Sequence, residues 1–355
     1  MPTSTATITT TITSITMAMT ITATIMSTIP TTTTTSTNTD MAIAVELQAP
    51  DIEPYRRSGS GTEFVHVLDS GQPGPQVMVM ALTHGNEICG AIALDRFLRA
   101  GARPSRGRLV LAFANIEAFG RFDPASPYAS RFVDEDFNRV WTRDVLDGPR
   151  QSVELRRARA LRPFVESSDF LLDIHSMLEP SPPVMICGPL EKGIRFAFDV
   201  GVPRNIVSDT GHSNGTRMRD YGGFGDPASP KNALLVECGQ HWERNSERVA
   251  WQTLWRFLRT LGVAQPEAAE REIEPAQPPQ RLIRVTEAVI ANSPAFRFAR
   301  SFTGLDVVPH RGDVIAWDGD QPVRAPYDNC VLVMPVPNNV KTGLTAVRLG
   351  REETR

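Results

Sequence analysis

From Gln76 onward the apolar residues follow two alternating patterns. Short, nearly unbroken runs have the length of buried strands: "QVMVMAL" at 76–82, "RLVLAFAN" at 108–115, "FLLDIH" at 170–175, "VMICG" at 184–188, "NIVS" at 205–208 and "NALLVEC" at 232–238. Between them the apolar positions step by three or four. Ile88, Ala91, Leu94 and Leu98 mark one helix, stopped by Gly101. A second helical pattern covers 153–165, and a long amphipathic one at 243–261 carries Val249, Trp251, Leu254, Trp255 and Leu258. Strands alternating with helices predict an α/β fold, a mainly parallel or mixed sheet flanked by helices.

The pattern breaks twice. Residues 1–40 are mostly Thr, Ile, Ser, Met and Ala, with no charge before Asp40 and no unbroken apolar core. They predict disorder or a misassigned start, with Met41 opening the functional chain, rather than a signal peptide or membrane span. Residues 263–280, "VAQPEAAEREIEPAQPPQ", are rich in Pro, Ala and Glu and predict a linker. Short apolar runs after it, punctuated by "HRGD", "WDGDQP" and "PYDN", predict a small antiparallel β domain over 281–355. The main domain is then 41–262.

Composition narrows the partners. The chain of 355 residues is 41% hydrophobic and carries a net charge of -3, without the basic excess of a nucleic-acid surface. A small molecule is the expected partner, with neither nucleic acid nor membrane. The sequence leaves homo-oligomerisation open. The four cysteines are scattered without CxxC spacing, so reduced thiols in the cytoplasm are expected.

Ligands of open α/β sheets gather beyond the carboxyl ends of the strands. His84 and Glu87 follow one strand, His175 closes another and Glu237 ends a third. Two imidazoles and a carboxylate with one open position form a catalytic zinc set. His-x-x-Glu alone is a weak signal, and a single histidine near a strand end is more often a hydrogen-bonded loop residue. Gly85 and Asn86 in the turn and the second strand-end histidine strengthen the metal reading.

Together, "THGNE" with His84 and Glu87, "DEDFNRVW" with Asn138 and Arg139, "LLDIHS" with His175 and "LLVECG" with Glu237 resemble the succinylglutamate desuccinylase/aspartoacylase family of zinc carboxypeptidase-like hydrolases. The resemblance runs in order from about residue 76 to 261, and the following β domain fits the family's two-domain plan. It implies one Zn(2+) per chain held by His84, Glu87 and His175, with Glu237 as the base that takes a proton from the attacking water. It also implies Arg131 as the cation that polarises the amide carbonyl, and Asn138 with Arg139 as the pair that holds the substrate carboxylate. A planar guanidinium suits that role through two parallel hydrogen bonds. Without the motif, an ion pair of Arg139 with Asp136 or Asp134 would be preferred. Asp173 stands two residues before His175, on the same strand face, where it could orient a ligand.

The expected activity is hydrolysis of an amide bond in a small anionic, N-acyl amino acid-like substrate. The alternatives are a carboxypeptidase acting on peptides with the same residues, and a metal-free binding protein on the same scaffold. The chain departs from the family in lacking a proline after Asn115, in the added "DPASPY" before Arg131, and in having only Tyr327 as a candidate for the tyrosine the C-terminal domain contributes. His212, in a Gly-rich loop, reads as a solvated loop histidine, and His241 and His310 show no partner.

Overall fold

The computed structural model describes residues 44–353 apart from 213, 276–277 and 339, so the expectation for residues 1–40 lies outside the described residues. The strands that build the first half of the sheet are β1 (Val65–Asp69), β2 (Gln76–Ala81), β3 (Arg108–Phe113), β4 (Phe170–Met177), β5 (Val184–Ile186), β6 (Asn205–Ser208) and β7 (Asn232–Gln240). The second half uses β8 (Arg281–Ile290), β9 (Phe296–Phe298), β10 (Val307–Val308), β11 (Val314–Asp318), β12 (Gln321–Arg324), β13 (Cys330–Val333) and β14 (Thr345–Glu353). Among the described residues, eleven of them form one sheet in the order β1-β3-β2-β4-β7-β5-β6-β8-β14-β13-β10, and β12-β11-β9 form a second.

The central strands β3, β2, β4 and β7 are mutually parallel. Each of β2, β4 and β7 has neighbours on both edges, and all nine residues of β7 are buried. That is why these strands read as unbroken apolar runs rather than as alternation. The sheet as a whole is mixed: β1 joins β3, and β5 joins β7, in antiparallel fashion. A three-residue apolar run such as β5 encodes burial but not direction.

Helices Ile88–Arg99, Val153–Ser167, Glu191–Val200 and Arg244–Thr260 pack on the sheet. The last buries Trp251, Leu254, Trp255, Phe257 and Leu258, and Trp255 meets Phe97 of the first with ring centroids 5.4 Å apart. Each such large apolar side chain contributes roughly 1.5–3 kcal/mol by leaving water. Gly90 lets the first helix lie directly on β4, since a Cβ there would stand 2.9 Å from Ile174 Cγ2.

The stretch expected as a linker holds a helix, Pro266–Glu272, bound to its predecessor by Trp251 Nε1 donating to Glu272 Oε2 at 3.0 Å. Proline is tolerated in a first helical turn, so a composition that suggests a linker also suits a helix start. Strand β8 then pairs in parallel with β6, and the large sheet runs on through β14. The described residues from 44 to 353 accordingly form one compact unit. The small β12-β11-β9 sheet closes over a separate core that includes Phe302, Ile315, Leu332 and Val347.

One buried carboxylate organises the loop that follows residue 130. Glu154, fully buried, accepts the backbone N–H groups of Val133, Asp134 and Glu135 at 2.7, 3.0 and 3.2 Å, and Asn115 Nδ2 at 3.0 Å. Three consecutive amides on one carboxylate fix the backbone between Arg131 and Asp136. Replacing Glu154 by Ala orphans these donors and should cost about 2–4 kcal/mol. Urea unfolding measures this, and a loss below about 0.5 kcal/mol would contradict the assigned role.

Candidate metal and substrate site

The turn after β2 carries the first cluster. Leu82 adopts φ 61°, a left-handed conformation that a branched apolar residue rarely takes. Its carbonyl accepts Asn115 N at 2.8 Å, tying the turn to the end of β3. Gly85 is required sterically: a Cβ there would lie 2.5 Å from backbone atoms of Ala118, Phe119 and Ser130. Glu87 begins the Ile88–Arg99 helix but makes no side-chain cap, because its carboxylate turns inward to the histidines.

His84 Nδ1 lies 2.7 Å from Glu87 Oε1, and His175 Nδ1 lies 2.9 Å from Glu87 Oε2. The three side chains are buried and offer ligand atoms within 4.8 Å of one another, a group that could hold a metal ion. Behind the rings stand two more carboxylates. Asp136 Oδ1 is 3.0 Å from His84 Nε2, and Asp173 Oδ2 is 2.7 Å from His175 Nε2. Thr83 Oγ1 donates to the other oxygen of Asp173 at 2.8 Å. Glu87 thus faces the Nδ1 atom of each ring, while Asp136 and Asp173 stand within ion-pair distance of the Nε2 atoms, so that either ring could offer Nδ1 to a metal.

The donor set fits a divalent cation. Two imidazole nitrogens and a carboxylate oxygen converging at one point are donor types that a divalent ion takes. Burial tends to raise the Glu87 carboxyl, but the imidazoles of His84 and His175 hold it well below the usual range. Burial would lower His175, yet Asp173 and Glu87 lift it well above its ordinary value, so the cluster recruits positive charge where it can.

Glu237 is the residue opposite His175 in the β4–β7 register. It is buried, and its Oε2 has no hydrogen-bond partner among the described residues. Burial pushes its carboxyl up to about 8, with Glu87 and Asp173 adding to the rise against His175 and Arg131. A buried carboxylate oxygen without a partner among the described residues, beside a group that could hold a metal, marks a candidate reacting group.

Arg131 borders the same cluster, donating from Nη1 to Glu87 Oε1 at 3.2 Å, with Nη2 3.0 Å from His84 Nε2 and 3.5 Å from Asp136. Asn138 and Arg139 sit in the 3-10 turn Phe137–Arg139. Asn138 Oδ1 accepts Met218 N at 3.0 Å, while Arg139 is only 3.9 Å from Asp136 and lies 3.2 Å from His212 Nε2. The site thus gathers His84, Glu87, His175, Glu237 and Arg131 on one side and Asn138 with Arg139 beyond Asp136.

Tyr327 lies elsewhere: its hydroxyl pairs with Thr286 Oγ1 at 2.7 Å, and Arg351 stacks on its ring. The C-terminal residue that reaches these side chains is Arg348 of β14, whose Nη2 lies 2.9 Å from His212 Nδ1. His212 is therefore not a free loop histidine. His241 was also hidden from the sequence; it is buried, its Nδ1 pairs with Ser176 Oγ at 2.8 Å, and its Nε2 has no partner among the described residues. The only sequence signal for it was its place four residues past Glu237. A separate cleft of about 300 Å³, lined by Gly61, Glu117 and Arg156 among others, shares none of these residues.

A mixed sheet with a His-Glu-His group at its parallel strand ends defines the class of the fold, and comparison with known proteins shows what the chain resembles. Residues 73–228 match the model for the succinylglutamate desuccinylase/aspartoacylase catalytic domain, a segment that contains His84, Glu87, Arg131, Asn138, Arg139 and His175 and stops short of Glu237. Among solved structures, succinylglutamate desuccinylase from Vibrio parahaemolyticus is 20% identical over 82% of this chain and 87% of its own, with a TM-score of 0.60. A succinylglutamate desuccinylase/aspartoacylase from Rhodobacter sphaeroides is 18% identical over 86% and 94%, TM-score 0.59. The product-bound ectoine utilization protein of Ruegeria pomeroyi is 18% identical over 83% and 92%, TM-score 0.57. No curated protein matches. The segment 73–228, which carries the His-Glu-His group, is thus similar to the catalytic domain of the succinylglutamate desuccinylase/aspartoacylase family, and the chain shares the fold of its solved members.

His241 gives the site a pH signature. Burial pushes it down to about 3, with Arg131, His84 and His175 adding to the shift against Glu87. The unfolded chain binds this proton below about pH 6.5, whereas the folded chain does not until about pH 3. Stability is therefore lost as pH falls through that window, by up to about 1.4 kcal/mol per pH unit for this one group. Urea unfolding between pH 7 and 5 should show a shallower loss in His241→Gln than in the natural protein; equal slopes would contradict a buried neutral His241.

Proposed function

We propose that the protein is a cytoplasmic zinc-dependent deacylase that hydrolyses the amide bond of an N-acyl amino acid or a similar small carboxylate-bearing compound. The observation that carries this reading is the convergence of His84 Nδ1, His175 Nδ1 and the Glu87 carboxylate within 4.8 Å, beside the unpartnered Oε2 of Glu237. The match of residues 73–228 to the family's catalytic domain supports hydrolysis, and several structural neighbours are named as succinylglutamate desuccinylases. Described residues include no helix long and apolar enough to cross a membrane.

In this reading His84, Glu87 and His175 hold one zinc ion. Zinc in such a site supplies Lewis acidity and lowers the pKa of a bound water to about 7. Glu237 takes the proton of the attacking water and returns it to the departing nitrogen. A carboxyl lifted toward neutrality by burial suits both directions of transfer. Arg131, next to Glu87 and held by the loop that Glu154 orders, faces the charge that develops on the carbonyl oxygen. Asn138 and Arg139 grip the substrate carboxylate. Arg139 is available for this because Asp136, its carboxylate neighbour among the described residues, is 3.9 Å away and stands against His84.

Turnover of a panel of N-acyl amino acids by the zinc-loaded protein should exceed that of short unmodified peptides. Faster peptide cleavage would replace the deacylase with a carboxypeptidase. Glu237→Gln should lower kcat by about 10²–10⁴-fold while leaving bound zinc in place; near-normal kcat would remove Glu237 as the base.

A further inference from the structure

Apart from the metal group, the cleft of about 300 Å³ is lined by the turn before β1, the residues after β3 and the Val153–Ser167 helix. That volume stands at the small end of the range for ligand pockets, about 300–1,000 Å³. Its walls are ordered. Thr62 N donates to Ser60 Oγ at 3.1 Å and Ser60 Oγ to Thr62 O at 2.9 Å, while Phe113 N donates to Phe64 O at 3.0 Å and fastens the turn to β3. Asn115, also in the wall, donates from Nδ2 to Glu154 at 3.0 Å.

Arg157 brings the cleft a charge that nothing there balances. Its Nε and Nη2 donate to the carbonyls of Ala114 and Phe113 at 2.8 and 2.7 Å, and among the described residues it forms no ion pair. The other charges are matched: Arg156 pairs with Glu117 at 2.9 Å, and Glu63 with Arg56 at 2.8 Å. Burial pushes Arg157 down to about 10, against the pull of Glu63, so the guanidinium stays charged at neutral pH. The first turn of the helix is already occupied, because Val153 N donates to Asp134 Oδ2 at 2.7 Å and Leu155 N to Ser152 Oγ at 2.9 Å. The group left to receive an anion is the guanidinium.

The charges select the ligand. One unmatched guanidinium calls for one carboxylate. Glu63 and Glu117 in the same lining disfavour a dianion. Their own ion pairs lie at the surface, where such pairs hold weakly, so both carboxylates can accept an ammonium group. Ile116, Val153 and Ala160 supply apolar surface for an aliphatic side chain. A carboxylate, an ammonium and a short apolar chain in one small molecule describe a free amino acid.

We propose that this cleft is a second binding site, which takes a free zwitterionic amino acid with its carboxylate on Arg157 and its ammonium toward Glu63 and Glu117. The site stands without the deacylase reading; only the identification of its occupant with the released product rests on that reading. An occupant there lies one hydrogen bond, Asn115 to Glu154, from the carboxylate that fixes the Arg131 loop.

Crystals of the natural protein soaked with L-selenomethionine, in which the ligand alone carries selenium, test the location. An anomalous selenium peak should appear in the cleft, with the ligand carboxylate on Arg157. Calorimetric titration of the zinc-loaded full chain tests the affinity in solution. L-methionine should bind at least about 10-fold more tightly than L-methioninamide, which lacks the carboxylate, and than 4-(methylthio)butanoate, which lacks the ammonium. Arg157→Gln should weaken L-methionine binding by about 10-fold or more. Ala160→Trp, which fills the cleft and leaves the carbonyl contacts of Arg157 in place, should do the same and keeps the test open if the glutamine variant does not fold. Selenium found only beside His84, Glu87 and His175, unchanged affinity in a folded Ala160→Trp, or equal binding of L-methionine and L-methioninamide would overturn the proposal. Binding as expected by a protein that does not hydrolyse N-acetylmethionine would support the site and count against the deacylase reading alone.

Discussion

The structure depends on one electrostatic problem, a buried carboxylate with an imidazole nitrogen on each of its oxygens. Glu87 stands 2.7 Å from His84 Nδ1 and 2.9 Å from His175 Nδ1, and the far nitrogen of each ring already faces Asp136 or Asp173. Buried charge is costly unless it is paired. With three carboxylates around two imidazoles, a small divalent cation at the Nδ1 atoms and Glu87 is a pairing that this group could hold.

The fold serves this cluster in several layers. Parallel pairing sets His175 level with Glu237, so one register places a proposed metal ligand and the proposed base side by side. Gly85 and the strained Leu82 turn the chain sharply enough to bring His84 and Glu87 over the end of β2. Glu154 fixes the loop between Arg131 and Asp136. The sheet that continues through β8 and β14 then brings Arg348 back to the same edge, so the C-terminal strands form part of the site's wall.

Much of this was legible in the sequence because burial on both faces leaves a plain signature. The runs that became β2, β3, β4 and β7, and the helical steps of Ile88–Arg99 and Arg244–Thr260, record which side chains leave water. The placing of His84, Glu87, His175 and Glu237 after or at the ends of such runs drew attention to one edge of the sheet. What the sequence did not disclose depends on contacts between distant residues. Nothing local to "TAVRLG" says that Arg348 meets His212, 136 positions earlier, or that Tyr327 settles on Thr286. Strand direction was hidden for the same reason, since an apolar triplet such as Val184–Ile186 carries no record of its neighbour. The 263–280 segment was misleading because Pro, Ala and Glu suit both a helix start and a flexible spacer.

The central claim concerns a metal ion between three named side chains, and anomalous diffraction at the zinc absorption edge tests it most directly. Crystals of the natural protein grown with zinc should show one anomalous peak per chain, bonded to Nδ1 of His84, Nδ1 of His175 and the Glu87 carboxylate. Zinc–nitrogen distances should be about 2.0–2.1 Å, and the peak should vanish in His175→Ala. A map with no peak at these three side chains, or with zinc bound only elsewhere, would contradict the account.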